Sequence, residues 1–163
     1  LKERTGAPKK VYRGDGRGMD QNSLANLTNV QGITAQGTLD LTFAGAVRHV
    51  CSNTDPGGVI STTADIDCAV HFAINSHPYG LVYEMEVTDY VDMCKVLSDR
   101  NFKNRYEAQK EFIVPKRISK AQIKKVMLYR KGGVPNDIWT SGTLLAYRNV
   151  NHGTLGDVVV VQQ

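Results

Sequence analysis

The chain has few of the features that tie a protein into a disulfide scaffold or a membrane. Its 163 residues include only three cysteines, Cys51, Cys68 and Cys94, an odd number that is too small for a disulfide network. Buried thiols are the simplest interpretation of Cys68 and Cys94. No apolar run approaches the roughly 20 residues of a membrane-spanning helix, and no signal peptide opens the sequence. We therefore expect no membrane insertion by this domain.

Common cofactor motifs are also missing. The glycines within 14–18 lack the spacing of a dinucleotide-binding fold, and no Gly-Lys-Ser/Thr phosphate loop occurs. Cys68 and His71 lie one helical turn apart with His77 nearby, but no fourth ligand follows at a spacing that suits zinc. The sequence therefore predicts no metal site and no Rossmann-type nucleotide site.

The overall composition is that of one soluble domain. Hydrophobic residues make up 41% of the chain and charged residues 22%, which is ordinary for a globular protein. Lys and Arg outnumber Asp and Glu by 20 to 16, for a net charge of +4. This balance favours contact with polyanions, although ordinary solubility explains it equally well. We expect residues 1–9, which contain Pro8, to form a tether and residues 10–163 to form a single domain.

Hydrophobic periodicity predicts an α+β domain dominated by strands. Apolar residues at helical spacing predict helices over 39–50 and 66–74, with Thr63 capping the second. Ser119 and Gln122 have capping-box spacing for one short turn. Alternating or short apolar runs predict strands over 10–13, 59–62, 81–87, 111–114, 126–129, 144–147 and 158–161.

Three short motifs follow one another along the chain. They are Val-Tyr-Arg-Gly-Asp-Gly-Arg at 11–17, Ser-Thr-Thr at 61–63 and Gln-Lys-Glu at 109–111. Together they resemble the motifs of NAD-dependent mono-ADP-ribosyltransferase toxins, in particular the branch that includes cholera and pertussis toxins. The resemblance covers roughly residues 10–130 and departs from the Ser-Thr-Ser pattern at Thr63. It implies a strand-rich split β-sandwich with flanking helices around an NAD cleft.

The resemblance assigns roles to particular residues. Glu111 is the catalytic carboxylate that stabilises positive charge on the ribose, and Ser61 orients it. Arg13 holds the NAD phosphates and the nearby ribose, with Ser61, Thr62 and Glu111 also at the NAD site. NAD acts as a co-substrate, and no metal is required.

Physical chemistry explains why these residue types are needed. Nicotinamide leaves as a neutral base while the ribose carbon passes through an oxocarbenium-like state, as in glycoside hydrolysis. No His-Asp pairing is evident that would make Ser61 a nucleophile. The alternatives are a surface glutamate in a strand for Glu111 and an ion pair with Asp15 for Arg13. Glu84 and Glu86 also read Glu-x-Glu, but we interpret them as the solvent side of an amphipathic strand.

Gln109 and Tyr106 bear on the acceptor of ADP-ribose. By resemblance, Gln109 faces the incoming nucleophile and is counted with the catalytic residues, and Tyr106 faces the substrate. A neutral glutamine suits an amide, a hydroxyl or a base edge better than an arginine, and Tyr106 either stacks on a base or packs in its loop. Nearby basic residues are expected to form a rim, namely Lys103, Arg105, Lys110, Lys116 and Arg117. RNA or DNA is slightly favoured over a non-arginine protein side chain.

The remaining expectations concern biological context. Because the sequence starts with Leu1 rather than Met, we expect the C-terminal toxin domain of a longer secreted effector, such as a polymorphic or Rhs-type toxin used in interbacterial competition. Such a domain would be monomeric, would act in the cytoplasm of a target cell and would have a cognate immunity protein. Two alternatives stay open: an NAD glycohydrolase that only drains the cofactor, and a non-catalytic nucleic-acid-binding module.

Overall fold

A computed structural model describes nine ranges of the chain. They are residues 4–16, 32–51, 58–76, 79–102, 110–132, 136–141, 143–144, 146–149 and 158–161. The strands are β1 (Arg4–Thr5), β2 (Lys9–Asp15), β3 (Ile33–Thr34), β4 (Val59–Thr63), β5 (Tyr79–Val87), β6 (Tyr90–Asp92), β7 (Glu111–Pro115), β8 (Arg117–Ile118), β9 (Ile123–Arg130), β10 (Asn136–Thr140), β11 (Thr143–Leu144), β12 (Ala146–Asn149) and β13 (Val158–Val161). The helices are α1 (Phe43–Cys51), α2 (Ile66–Ile74) and α3 (Met93–Asp99), with a 3-10 turn at Lys120–Gln122.

The main sheet consists of two well-paired parts joined by a narrow connection. Its strand order is β1-β6-β7-β4-β2-β5-β9-β10-β11, with antiparallel neighbours. All seven residues of β2 pair with β5, and all five of β4 pair with β7, whereas β2 and β4 share the single pair Tyr12–Thr63. The sheet therefore opens between β2 and β4, which confirms the split, strand-rich α+β architecture.

Helix α2 lies directly on the backbone of β2 and β5. A Cβ atom at Gly14 would come within 2.9 Å of the Ala73 nitrogen and closer still to the Ala69 carbonyl oxygen, and one at Gly80 would meet Ala73 in the same way. Ala69 and Ala73 are fully buried at this contact. Because only small residues face one another, the helix axis comes close to the sheet. Gly14 is therefore part of β2, which continues to Asp15, beyond the strand predicted over 10–13.

Two helix starts differ from the sequence predictions. Asp65, not Thr63, caps α2, because its Oδ1 accepts a 3.0 Å hydrogen bond from the Asp67 nitrogen while Thr63 remains in β4. Helix α1 begins at Phe43 rather than at residue 39, since the Thr42 hydroxyl accepts a 3.0 Å bond from the Gly45 nitrogen. In both cases a side-chain oxygen satisfies a helical N–H that has no partner within the helix.

Apolar clusters on both faces of the sheet hold the rest together. One cluster includes Val11, Leu81 and Met85, and another packs Val96 and Leu97 of α3 against β7. Burial of each large apolar side chain contributes about 1.5–3 kcal/mol.

The Ser119 cap of the 3-10 turn is confirmed.

Part of the 1–9 segment belongs to the sheet. Arg4–Thr5 forms β1, in which Arg4 pairs with Val91 and Thr5 with Tyr90. This part of the segment is therefore paired with β6 rather than free. No helix within the described ranges is long and apolar enough to cross a membrane.

Candidate active-site cleft

A cavity of about 470 Å³ opens where β2 and β4 separate. Its floor is formed by β2, β4 and the first residue of β7. One wall is residues 33–36, which include β3, and the other is the face of α2 that carries Cys68, Ala69 and Phe72. The volume lies within the range of about 300–1,000 Å³ for small-molecule sites.

Ser61 and Glu111 meet in this cavity. In the β4–β7 ladder, Thr63 stands opposite Glu111 and Ser61 opposite Ile113, so Ser61 and Glu111 are diagonal neighbours on one face of the sheet. The Ser61 hydroxyl donates a hydrogen bond to Glu111 Oε2. The bond fixes one carboxylate oxygen, and both side chains are half-buried. The structure thus brings Ser61 and Glu111 into contact, while the catalytic roles of the two residues stay a prediction.

Arg13 bridges the gap between the two parts of the sheet. It lies on β2, and its Nη1 donates a 2.9 Å hydrogen bond to the backbone oxygen of Ser61 on β4. A guanidinium carries five N–H donors, so this bond leaves others for an anionic group in the cavity. Arg13 and Glu111 are 98 residues apart in the sequence, and together with Ser61 they line a single cleft.

Thr62 and Thr63 have hydroxyl groups bound to the protein itself. The Thr62 hydroxyl donates a 2.7 Å hydrogen bond to the Phe112 carbonyl oxygen and is buried. The Thr63 hydroxyl accepts a 3.0 Å bond from the Asp65 nitrogen. Both residues line the cavity, and these bonds hold β4 against β7 and connect β4 to α2.

Two titratable groups of the cleft are held in their neutral forms. Burial raises the pKa of the Cys68 thiol, and the negative charges of Asp65 and Glu111 raise this pKa further against a hydrogen bond from Thr63 that lowers it. Burial also raises the pKa of Tyr12, as do the charge of Glu84 and its hydrogen bond with the phenol. At neutral pH Cys68 is therefore a thiol, and a thiol is a poor nucleophile.

The chain enters β7 through a left-handed residue. Lys110 has φ of 45°, a conformation that costs a non-glycine residue about 1–2 kcal/mol. Its carbonyl oxygen accepts a 3.2 Å hydrogen bond from the Ala64 nitrogen. The bend lies directly before Glu111, the first residue of β7. Gln109 and Tyr106 themselves lie outside the described residues.

Glu84 and Glu86 are absent from the lining of the cleft. Both lie on β5, where Glu84 stands opposite Tyr12 and the exposed Glu86 stands opposite Lys10. Their interpretation as a solvent-side pair fits Glu86, while Glu84 is half-buried and hydrogen-bonded to Tyr12.

The α2 wall was not anticipated from the sequence. Phe72 is the one large hydrophobic side chain of the described residues that is exposed, at 44%. In the sequence, Phe72 falls outside the apolar stripe at 66, 69, 70, 73 and 74. An aromatic residue off that stripe was the one sign that this face of α2 is exposed. Within the described part of the chain, no group of three or more His, Cys, Asp or Glu side chains could hold a metal ion.

Comparison with known proteins identifies the class of fold. No protein-family model and no curated protein matches the chain. Solved structures do match, and the fold is that of the ADP-ribosyltransferases.

Three of these structures illustrate the similarity. A tryptophan-to-tyrosine variant of the Scabin toxin from Streptomyces scabies has 22% identity over 78% of this chain and 70% of that chain, with a TM-score of 0.56. A guanine-specific ADP-ribosyltransferase has 18% identity over 81% and 74%, with a TM-score of 0.59. Scabin in complex with NADH has 18% identity over 93% and 73%, with a TM-score of 0.55.

Proposed function

We propose that this chain is an NAD-dependent mono-ADP-ribosyltransferase toxin domain. It cleaves the bond between nicotinamide and ribose and transfers ADP-ribose to a macromolecular acceptor, with RNA or DNA favoured over a non-arginine protein side chain. The observation that carries the proposal is the hydrogen bond between Ser61 and Glu111 beside Arg13, in a cleft of this fold.

Each side chain has a task in bond cleavage. The electron pair of the C–N bond leaves with nicotinamide, and positive charge develops on the ribose carbon and its ring oxygen. Glu111 stabilises that charge through its carboxylate, and Ser61 holds the carboxylate in one orientation so that little reorganisation is needed. Arg13 anchors the pyrophosphate with its remaining N–H donors. The half-buried setting of Glu111 strengthens its electrostatic effect relative to water.

The acceptor is expected to contact Gln109 and Tyr106, which precede Glu111 in the sequence. Gln109 presents an uncharged amide, which binds a base edge or another amide without the carboxylate that would attract an arginine. Tyr106 offers an aromatic ring for stacking. A guanine-specific enzyme among the structures with this fold is consistent with a nucleobase acceptor.

The biological setting is proposed from the same resemblance. Toxins among the structures with this fold support a delivered effector that acts in the cytoplasm of a target cell. We propose that the chain forms one monomeric catalytic domain, to whose main sheet Arg4–Thr5 already belongs, and that it is carried by a polymorphic or Rhs-type effector. A cognate immunity protein would protect the producing cell by covering the cleft.

The test uses NAD labelled in its adenylate part and three proteins. They are the wild type, Glu111→Gln, and the control Glu86→Gln, which makes the same change at an exposed glutamate outside the cleft. We expect the wild type and the control to label a macromolecular fraction. Glu111→Gln should lower the rate by about 10²–10³.

The distribution of label separates the candidates. Label in RNA or DNA supports the preferred acceptor, and label in protein moves the acceptor to a side chain. Free ADP-ribose alone identifies an NAD glycohydrolase. Equal behaviour of all three proteins, with NAD intact, refutes the proposal in favour of a non-catalytic module.

A further inference from the structure

The positive charge of the chain is concentrated in one region. Residues 103–131 contain ten of the 20 Lys and Arg residues but only two of the 16 Asp and Glu residues, a net charge of +8. The whole chain carries +4, so the remainder is net negative. Because the charge is unevenly distributed, the electrostatic potential is positive over one part of the protein and negative over the rest.

Within this region, a cluster of cations surrounds β8 and the 3-10 turn. We call Lys116, Arg117, Lys120 and Lys124 the basic turn, and all four are exposed. They fall within nine consecutive residues, so neighbouring members lie at most about 14 Å apart along an extended chain. Lys116 has φ of 64°, which directs the chain sharply from β7 into β8. The basic turn thus presents closely spaced charges on one short segment.

These charges have no acidic partner in the described part of the chain. Lys95 and Lys125 illustrate the contrast, because they form ion pairs with Asp99 at 2.7 Å and Asp137 at 3.3 Å. Lys124 donates a 3.0 Å hydrogen bond to the Ala121 carbonyl oxygen, which is an uncharged acceptor. An anionic ligand would therefore meet charges that are not already neutralised.

The basic turn is fixed against a wall of the cleft. The Lys116 nitrogen donates a 2.9 Å bond to the Gly58 oxygen, and the Lys116 oxygen accepts a 2.8 Å bond from the Ala35 nitrogen. Arg117 pairs with Thr34, and both Thr34 and Ala35 line the cavity. Ile118 is fully buried and anchors β8 in the core. A ligand held on the basic turn therefore lies beside the cleft, on a backbone that need not rearrange.

We propose that the basic turn binds the phosphate backbone of a nucleic acid and holds the acceptor strand beside the cleft. This inference rests on the proposed function for its catalytic meaning, but binding itself does not require catalysis. The basic turn consists of cations at short intervals and contains no aromatic residue. This suits a chain of phosphates, which provides one anion per nucleotide. A protein partner would be expected to find apolar or aromatic anchors. The exposed large hydrophobic side chain of the described residues, Phe72, lies instead on α2.

The binding test compares two triple variants with equal charge changes. The first is Lys116→Gln/Arg117→Gln/Lys120→Gln, and the control is Lys10→Gln/Lys95→Gln/Lys131→Gln, whose residues are also exposed. Lys131 lies about 23 Å beyond Lys124 along β9. Affinity for a labelled 20-nucleotide single strand, as DNA and as RNA, is measured by fluorescence anisotropy without NAD between 50 and 200 mM salt.

We expect the first variant to lose affinity and salt dependence. Loss of three phosphate contacts lowers the slope of log K against log salt by about 2, since each contact with a single strand contributes about 0.7. The control should keep the wild-type slope. NAD hydrolysis should stay unchanged in the first variant, because its three positions do not line the cavity, while transfer to nucleic acid falls.

Two outcomes overturn the proposal: equal slopes for the two triple variants, or tighter binding of a polyglutamate of matched length than of either nucleic acid. A wild type that binds nucleic acid through the basic turn but leaves NAD intact supports this surface and refutes the proposed catalysis. The two hypotheses therefore fail separately.

Discussion

Replacement of Gly14 by alanine should push α2 away from the sheet and disturb the cleft. The new Cβ would lie 2.9 Å from the Ala73 nitrogen, with the Ala69 carbonyl oxygen closer still. Since the Ala69 oxygen is the closest atom, α2 must recede by roughly 1.5 Å before both atoms reach the ordinary contact distance of about 3.5 Å. Overpacking of this kind costs about 1–3 kcal/mol. Because Gly14 follows Arg13, the displacement also moves the α2 wall relative to the guanidinium.

The matched control is Gly6→Ala, where a Cβ atom meets nothing within 4 Å. Thermal unfolding of both variants gives the difference directly. For a chain of this size, 1 kcal/mol corresponds to about 2–4 °C, so Gly14→Ala should melt roughly 2–12 °C lower than Gly6→Ala. Its KM for NAD should also rise. Equal melting temperatures would show that α2 does not lie against β2 as described.

Three further changes probe the cleft and the helix beside it. Ser61→Ala should lower kcat for nicotinamide release by about 10- to 100-fold with little change in KM. The reason is that a hydrogen bond to a charged group contributes about 1.5–3 kcal/mol. An unchanged kcat would show that Ser61 has no part in the mechanism. Alkylation of Cys68 by iodoacetamide should be slow at pH 7 and accelerate only above the usual thiol pKa, since burial raises that pKa, and NAD should protect the thiol. Fast labelling at pH 7, measured by mass spectrometry, would contradict this. Asp65→Ala should reduce the free energy of unfolding by about 0.5–2 kcal/mol through loss of the α2 cap, and urea denaturation checks it against Thr63→Ser, which keeps the hydroxyl.

Much of the fold follows from local patterns in the sequence. The apolar stripe from Ile66 to Ile74 predicts α2 with the bounds that the structure shows. Alternation predicts the core of β5, and short apolar runs predict β4 and β7. These patterns involve residues that are close in the sequence, so they can be recognised without knowledge of the tertiary structure.

Other elements depend on contacts that no local pattern reports. Helix α3 has seven residues, of which Met93, Val96 and Leu97 are buried. A helix of about two turns is too short to give a clear periodic signal in the sequence. The opening between β2 and β4 reduces their pairing to Tyr12–Thr63, which depends on the twist of the whole sheet. The sequence shows the order of Arg13, Ser61 and Glu111 along the chain. That the three residues line one cleft can be seen only in the folded structure.

We infer that the Ser61–Glu111 pair faces the reactive ribose while Arg13 holds the pyrophosphate. A crystal structure of this chain with NADH, whose reduced ring is a poor leaving group, tests it most directly. We expect the nicotinamide ribose within hydrogen-bond distance of Glu111 and a phosphate oxygen on the guanidinium of Arg13. A dinucleotide bound elsewhere, with the cleft between β2 and β4 empty, would contradict it.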